Sequence, residues 1–194
     1  MTGHKARGGD PLAVRRMIYA ALYLALALVL PFLTGQVPQI GSMLCPMHLP
    51  VLLCGFVCGW PYGLAVGLIA PVLRSLLFGM PALFPSAVAM TAELAVYGCA
   101  AGLGHRLLPR KPGIIYLTLL LSMVLGRIAW GLAQLLLTGL SHSVFTFEMF
   151  LAGAVTTALP GIILQLVLIP PLVRLMESAG LSLNTEGVHH HAVQ

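Results

Sequence analysis

HRLLPRKPGIIYLTLLLSMVLGRIAWGLAQLLLT, His105 to Thr138, is the stretch from which the rest of the chain can be read. Arg106, Arg110 and Lys111 crowd its start, and from Gly113 to Thr138 a lone charge, Arg127, interrupts an otherwise apolar run. A helix that crosses a bilayer needs about 20 largely apolar residues. This run supplies them, and its basic end is assigned to the cytoplasm because cytoplasmic loops carry the excess of Lys and Arg.

The same reading extends in both directions. Of the 10 Lys and Arg residues, Lys5, Arg7, Arg15 and Arg16 precede the first apolar run, Arg106, Arg110 and Lys111 form the central group, and Arg174 closes the last run. Drawn as about six membrane helices, the chain carries no basic residue in an outer loop, which places both termini in the cytoplasm. Composition agrees: 59% of residues are hydrophobic and 8% charged, against about 25% charged in soluble domains. The mean hydropathy of +0.98 belongs to a chain with lipid as its solvent. The fold class expected is an all-α integral membrane protein, a six-transmembrane-helix bundle. A net charge of +5 then reflects anchors facing anionic lipid and not nucleic-acid affinity. The 194 residues leave no room for a soluble catalytic or nucleotide-binding domain, so any energy source must lie in another chain.

The spans are expected over about Arg15–Thr34, Met47–Trp60, Tyr62–Phe78, Ser86–Leu108, Gly113–Thr138 and Glu148–Met176. The run from Met47 is short for a full crossing. Pro160, Pro170 and Pro171 are expected to kink the last span or cut it short. Residues 1–14 and 178–194 are read as cytoplasmic tails flanking a membrane domain of 15–177, the C-terminal one polar and mobile. The first apolar run is too long for a removable signal peptide and has no small-residue cleavage site. No internal repeat is evident. Gly55 and Gly59, Gly63 and Gly67, and Gly98 and Gly102 have the small-xxx-small spacing of close helix contacts within a bundle. Ala20, Ala21, Ala25 and Ala27 cover much of the first helix and suit a groove for a partner subunit.

Charges inside the hydrocarbon are costly, roughly 2.5 to 3.5 kcal/mol each, and therefore pair or line polar cavities. Three qualify. At 1.5 Å per residue, Arg74 lies roughly 8 Å, Glu93 roughly 13 Å and Arg127 roughly 18 Å below the outer ends of their helices. Helical spacing places Ser86, Met90, Glu93 and Tyr97 on one face of helix four, and Met123, Arg127, Trp130 and Gln134 on one face of helix five. Apolar walls, an aromatic surface and a few placed polar groups are the chemistry of a small-molecule pocket. Glu148, Thr156 and Gln165 are positioned to add to it, and His48 stands at the outer start of helix two. Two plainer readings remain open: Glu93 and Arg127 form a structural salt bridge, and His48 is a hydrogen-bonded interface residue.

Met43, Cys45, Met47 and His48 resemble a soft-metal or haem-edge environment, but their spacing matches no defined site, so no metal is assigned. Cys45, Cys54, Cys58 and Cys99 read as small apolar packing residues. Walker, HExxH and GxSxG motifs are lacking, and no catalytic residue or cofactor is assigned.

Length, helix number, the Ala21-x-x-x-Ala25 face, a Pro-rich first outer loop, the stretch PMHLPVLLCGFVCG from Pro46 to Gly59, and AMTAELAVYG from Ala89 to Gly98 carry a family likeness. Over about Arg15 to Arg174 the chain resembles the substrate-binding S components of energy-coupling factor (ECF) vitamin transporters. The resemblance implies capture of a micronutrient from outside a bacterial or archaeal plasma membrane. Delivery would follow docking to a transmembrane coupling subunit driven by two cytoplasmic ATPases, with Ala21 and Ala25 matching the docking pattern. Pocket residues vary within the family, so the candidates above rest on depth and face alone. Substrates in the family include riboflavin, thiamine, biotin, folate and pantothenate; two arginines suit an anionic group, and Trp130 and Tyr97 suit a flat ring. The alternatives from other classes are a structural membrane scaffold and a stand-alone proton-coupled carrier using Glu93.

Overall fold

The structure, a computed structural model, describes residues 11–34, 44–109, 111–140, 146–153 and 158–184. Seven α-helices follow one another among them: α1 (Pro11–Val29, continued by a 3-10 turn to Thr34), α2 (His48–Cys58), α3 (Trp60–Phe78), α4 (Val88–Leu107, entered through a wide turn at Leu83–Ala87), α5 (Pro112–Leu140), α6 (Phe147–Leu151) and α7 (Leu159–Ser178). No strand occurs among the described residues.

Five of the helical stretches are long and apolar enough to cross a bilayer: Pro11–Leu33, Trp60–Phe78, Leu83–Leu107, Gly113–Gly139 and Leu159–Ser178. The exception among the main elements is α2, with 11 residues, or roughly 16 Å of rise against a hydrocarbon core of about 30 Å. A half-length helix leaves unpaired backbone groups at membrane depth, which is tolerated only inside protein. Accordingly every residue of α2 except Leu49 is buried. The turn from α2 into α3 is made at Gly59, whose φ of 99° lies in the region that favours glycine. Pro61 then occupies the first turn of α3, where its missing N–H leaves no helical bond unmade. The helix therefore starts before Tyr62, the start expected from sequence.

At the centre of the bundle α4 packs against α2, α3 and α5. The glycine pairs set how closely. A Cβ on Gly98 would overlap the Gly63 carbonyl of α3, and one on Gly55 would overlap the carbonyl of Gly98 itself. Backbone meets backbone there, the contact that drives association in lipid. Leu52, Phe56, Leu94, Tyr97, Leu119 and Ile169 fill the space around this seam. The opposite face of α5, with Leu121, Val124, Leu125, Ile128, Leu132 and Leu136, is exposed and wholly apolar, the surface of a helix that faces lipid.

Two expectations are corrected. In place of one helix over Glu148–Met176 there are two, α6 and α7, with residues 154–157 outside the described part. Pro160 sits in the first turn of α7, while Pro170 and Pro171 lie inside a helix that continues to Ser178. The segment after α7 is not simply a mobile tail either, because residues 181–184 pack into one end of the bundle. Leu183 is fully buried, and its carbonyl accepts from Arg16 of α1. Asn184 donates through its backbone N–H to Val57 O (2.8 Å) and through Nδ2 to Gly102 O (3.2 Å). The apolar Leu183 and these bonds give the segment what a solvated tail lacks. Residues 185–194 lie outside the described part.

Candidate functional site

Glu93 is the centre of the candidate site. It lies on the face of α4 turned toward α2 and α5 and is 1% exposed. Its Oε1 stands 3.0 Å from Arg127 Nη1 of α5 and 3.3 Å from His48 Nε2 at the start of α2. A buried carboxylate costs several kcal/mol of lost hydration unless paired, and the two neighbours provide that pairing. Both contacts are made at ion-pair distance, without the alignment of full hydrogen bonds at Glu93 Oε1 and His48 Nε2.

The surroundings come from three elements. One turn along α4, the buried Tyr97 ring meets the His48 ring edge to face, 5.3 Å between centroids. Gly126, the residue before Arg127, makes room for the Tyr97 ring, since a Cβ there would overlap it. Met123 is buried in the same core and Met90 packs against it. Arg127 Nη2 also lies 3.8 Å from Cys45 Sγ. Cys45 stands in the connection before α2 with φ 48°, its carbonyl accepting from His48 N (3.0 Å). Burial pushes its thiol up to about 11, so this cysteine is a neutral wall and not a thiolate.

The other sequence candidates distribute as follows. Trp130 is stacked on Phe150 of α6 (6.1 Å between centroids, planes 29° apart), with Gly153 against its edge. Gln134, about one turn further along α5, has a buried Oε1 without a hydrogen-bond partner among the described residues, as has Gln165 of α7. Arg74 is held by a different set of contacts. Its Nη1 donates to Leu28 O of α1, and its guanidinium lies over the rings of Phe32 (5.0 Å) and Phe78 (5.4 Å). Depth along a helix axis suggested Arg74 as a companion of Glu93; its direction around the axis turns it to the seam of α1 and α3. Glu148 is exposed in the first turn of α6, and Thr156 and Met43 fall outside the described residues.

His48, Glu93, Tyr97 and Arg127, sequence candidates from three different helices, therefore form one cluster. Its unspent hydrogen-bonding capacity is His48 Nδ1 and Arg127 Nε, both buried without a partner among the described residues. Two contacts had no sequence signal: Phe150 as the support of Trp130, and the Cys45 to Arg127 approach, each joining residues from different elements. No group of three metal-ligating side chains occurs among the described residues. On α1, Ala21 and Ala25 are exposed while Ala20, Tyr23 and Ala27 face the bundle.

The cluster brings a carboxylate, an imidazole and a guanidinium together among apolar helices. The sequence profile of the ECF transporter substrate-specific component matches residues 15–173, which takes in all of α2 to α6 and most of α1 and α7. No curated protein and no solved structure matches the chain. With five apolar helices fit to span a bilayer and a family profile covering most of its length, the chain is a multi-pass membrane protein that belongs to the substrate-specific components of ECF transporters.

Proposed function

We propose that this chain captures a vitamin or related cofactor precursor from outside the cell, in a pocket organised around Glu93, and passes it inward when docked to a transmembrane coupling subunit driven by two cytoplasmic ATPases. The observation that carries the reading is the junction of His48, Glu93 and Arg127. Three helices converge there on one carboxylate, yet His48 Nδ1 and Arg127 Nε remain unpartnered among the described residues. Buried polar groups in a stable structure are ordinarily satisfied, so a site that leaves two open is suited to a ligand that supplies the missing partners. Tyr97 and Trp130 offer ring surfaces, Met90 and Met123 polarizable walls, and Gln134 a further acceptor. Arg74 is left to bind α1, so the ligand's anionic or acceptor group falls to Arg127 and His48.

The remaining parts of the reading follow from charge placement. On a reading with six crossings that counts the short α2, the basic residues Arg16, Arg106, Lys111 and Arg174 all fall on one side, which we assign to the cytoplasm of a bacterial or archaeal plasma membrane. Ala21 and Ala25, with the exposed Ile18, Leu22 and Leu26 beside them, suit close approach of a partner helix.

A second reading is favoured by one distance: at 3.0 Å the Glu93 to Arg127 pair can serve as a lock between α4 and α5. The two are separated by screening purified protein against a vitamin panel in a thermal-shift assay without ATP. One compound should raise the melting temperature saturably, with the rise lost in Glu93→Gln. A flat response across the panel, together with a large loss of stability in that variant, would leave the lock as the function of the pair.

A further inference from the structure

The end of the bundle opposite the loop before α2 carries a separate polar cavity, of about 110 Å³, between the last turn of α4, the first turns of α5 and the last turns of α7. Its polar lining is His105, Lys111, Thr118, Arg174 and Glu177. The single acid is engaged: Glu177 Oε1 lies 3.1 Å from His105 Nε2. That leaves Lys111 and Arg174, both exposed at the rim, as its unopposed charges among these lining residues. At the floor, Thr118 is 2% exposed and its Oγ1 has no hydrogen-bond partner among the described residues. A buried hydroxyl left unmatched is costly, and here it shares the cavity with two cations.

We propose that this cavity binds a phosphate ester, in the form of the headgroup of an anionic lipid of the inner leaflet. The volume holds several waters at about 30 Å³ each, enough for a phosphate group. Lys111 and Arg174 supply its counter-charge, and the Thr118 hydroxyl donates to a phosphate oxygen. The lipid is favoured over a soluble phosphate by residues next in sequence to the cavity lining: Leu107, Tyr116 and Leu175, adjacent to Leu108, Ile115 and Arg174, are exposed apolar side chains fit to lie along acyl chains. Basic pockets between membrane helices on the cytoplasmic side are suited to such headgroups. The site lies outside the Glu93 cluster and does not depend on what that cluster binds.

The test uses the purified chain in neutral detergent, titrated with dihexanoyl phosphatidylglycerol, dihexanoyl phosphatidylcholine and glycerol 3-phosphate, with binding read by native mass spectrometry and melting temperature. The phosphatidylglycerol should bind about tenfold more tightly than the phosphatidylcholine, and Lys111→Gln with Arg174→Gln should abolish that preference. Thr118→Val, which keeps shape and charge, should weaken phosphatidylglycerol binding roughly three- to tenfold while leaving the lipid-free melting temperature unchanged or higher, because the hydroxyl has no protein partner to lose. Glycerol 3-phosphate binding as tightly as the lipid would overturn the lipid assignment in favour of a soluble ester. Phosphatidylglycerol binding that is equal in the wild type and in Thr118→Val would overturn the site, whether or not the double variant folds.

Discussion

Glu93 Oε1 and Arg127 Nη1 stand 3.0 Å apart between α4 and α5, the carboxylate wholly enclosed and the guanidinium 15% exposed. The pair is asymmetric: Glu93 also has His48, whereas Arg127 reaches only the weak acceptor Cys45 Sγ besides and keeps Nε unpartnered among the described residues. Of the two, Arg127 has the greater capacity to turn toward a bound anion.

Replacing Arg127 with Ala should lower ligand affinity by about 2 to 5 kcal/mol, because a buried charge on the ligand would lose its counter-ion. Isothermal titration with the compound found by the panel screen measures this. Unchanged affinity with a depressed melting temperature would show that the pair serves only to hold the helices.

His48→Gln keeps an amide donor within reach of Glu93 and removes the ring with its unpartnered Nδ1. Affinity should fall by about 1 kcal/mol, the worth of one hydrogen bond, with little change in thermal stability. Loss of folding in this variant would instead assign His48 to the architecture of α2.

Gly98→Ala should be disruptive, although it adds one methyl group. The new Cβ would meet the backbone of Gly63, which has no rotamer to change, so α3 and α4 must separate. Overpacking of this kind costs about 1 to 3 kcal/mol, visible as a lower melting temperature. Gly113→Ala, in the first turn of α5 with nothing within contact distance of its Cβ, is the matched control and should be silent.

Ala21→Trp or Ala25→Trp should abolish uptake by cells that carry the whole transporter while leaving ligand binding by the isolated chain intact. Both alanines lie on the outer face of α1, and a bulky ring there blocks close helix approach without touching the Glu93 cluster. Loss of binding and uptake together would mean that these positions support the bundle itself; no effect on either would remove α1 from the docking surface.

Much of the architecture was legible in the chain itself. Apolar runs of spanning length, bounded by Pro, Gly and clustered Arg and Lys, determine that helices form and about where they end, because the bilayer tolerates little else. The charges within those runs named the candidate residues by the same logic, since an Arg or Glu at that depth requires a partner or a cavity. Axial depth is readable from the number of residues, about 1.5 Å for each. Which neighbour a side chain meets depends on how the helices are rotated and packed, and no local pattern carries that. Tertiary packing alone decided that Arg74 turns to Leu28, Phe32 and Phe78 while Arg127 turns to Glu93, that His48 joins them from a half-length helix, and that Leu183 and Asn184 are drawn from an apparent tail into the bundle. The physical reason is that the close backbone contacts at Gly55, Gly63 and Gly98 set the spacing and rotation of α2, α3 and α4, and those fix which polar groups can reach one another.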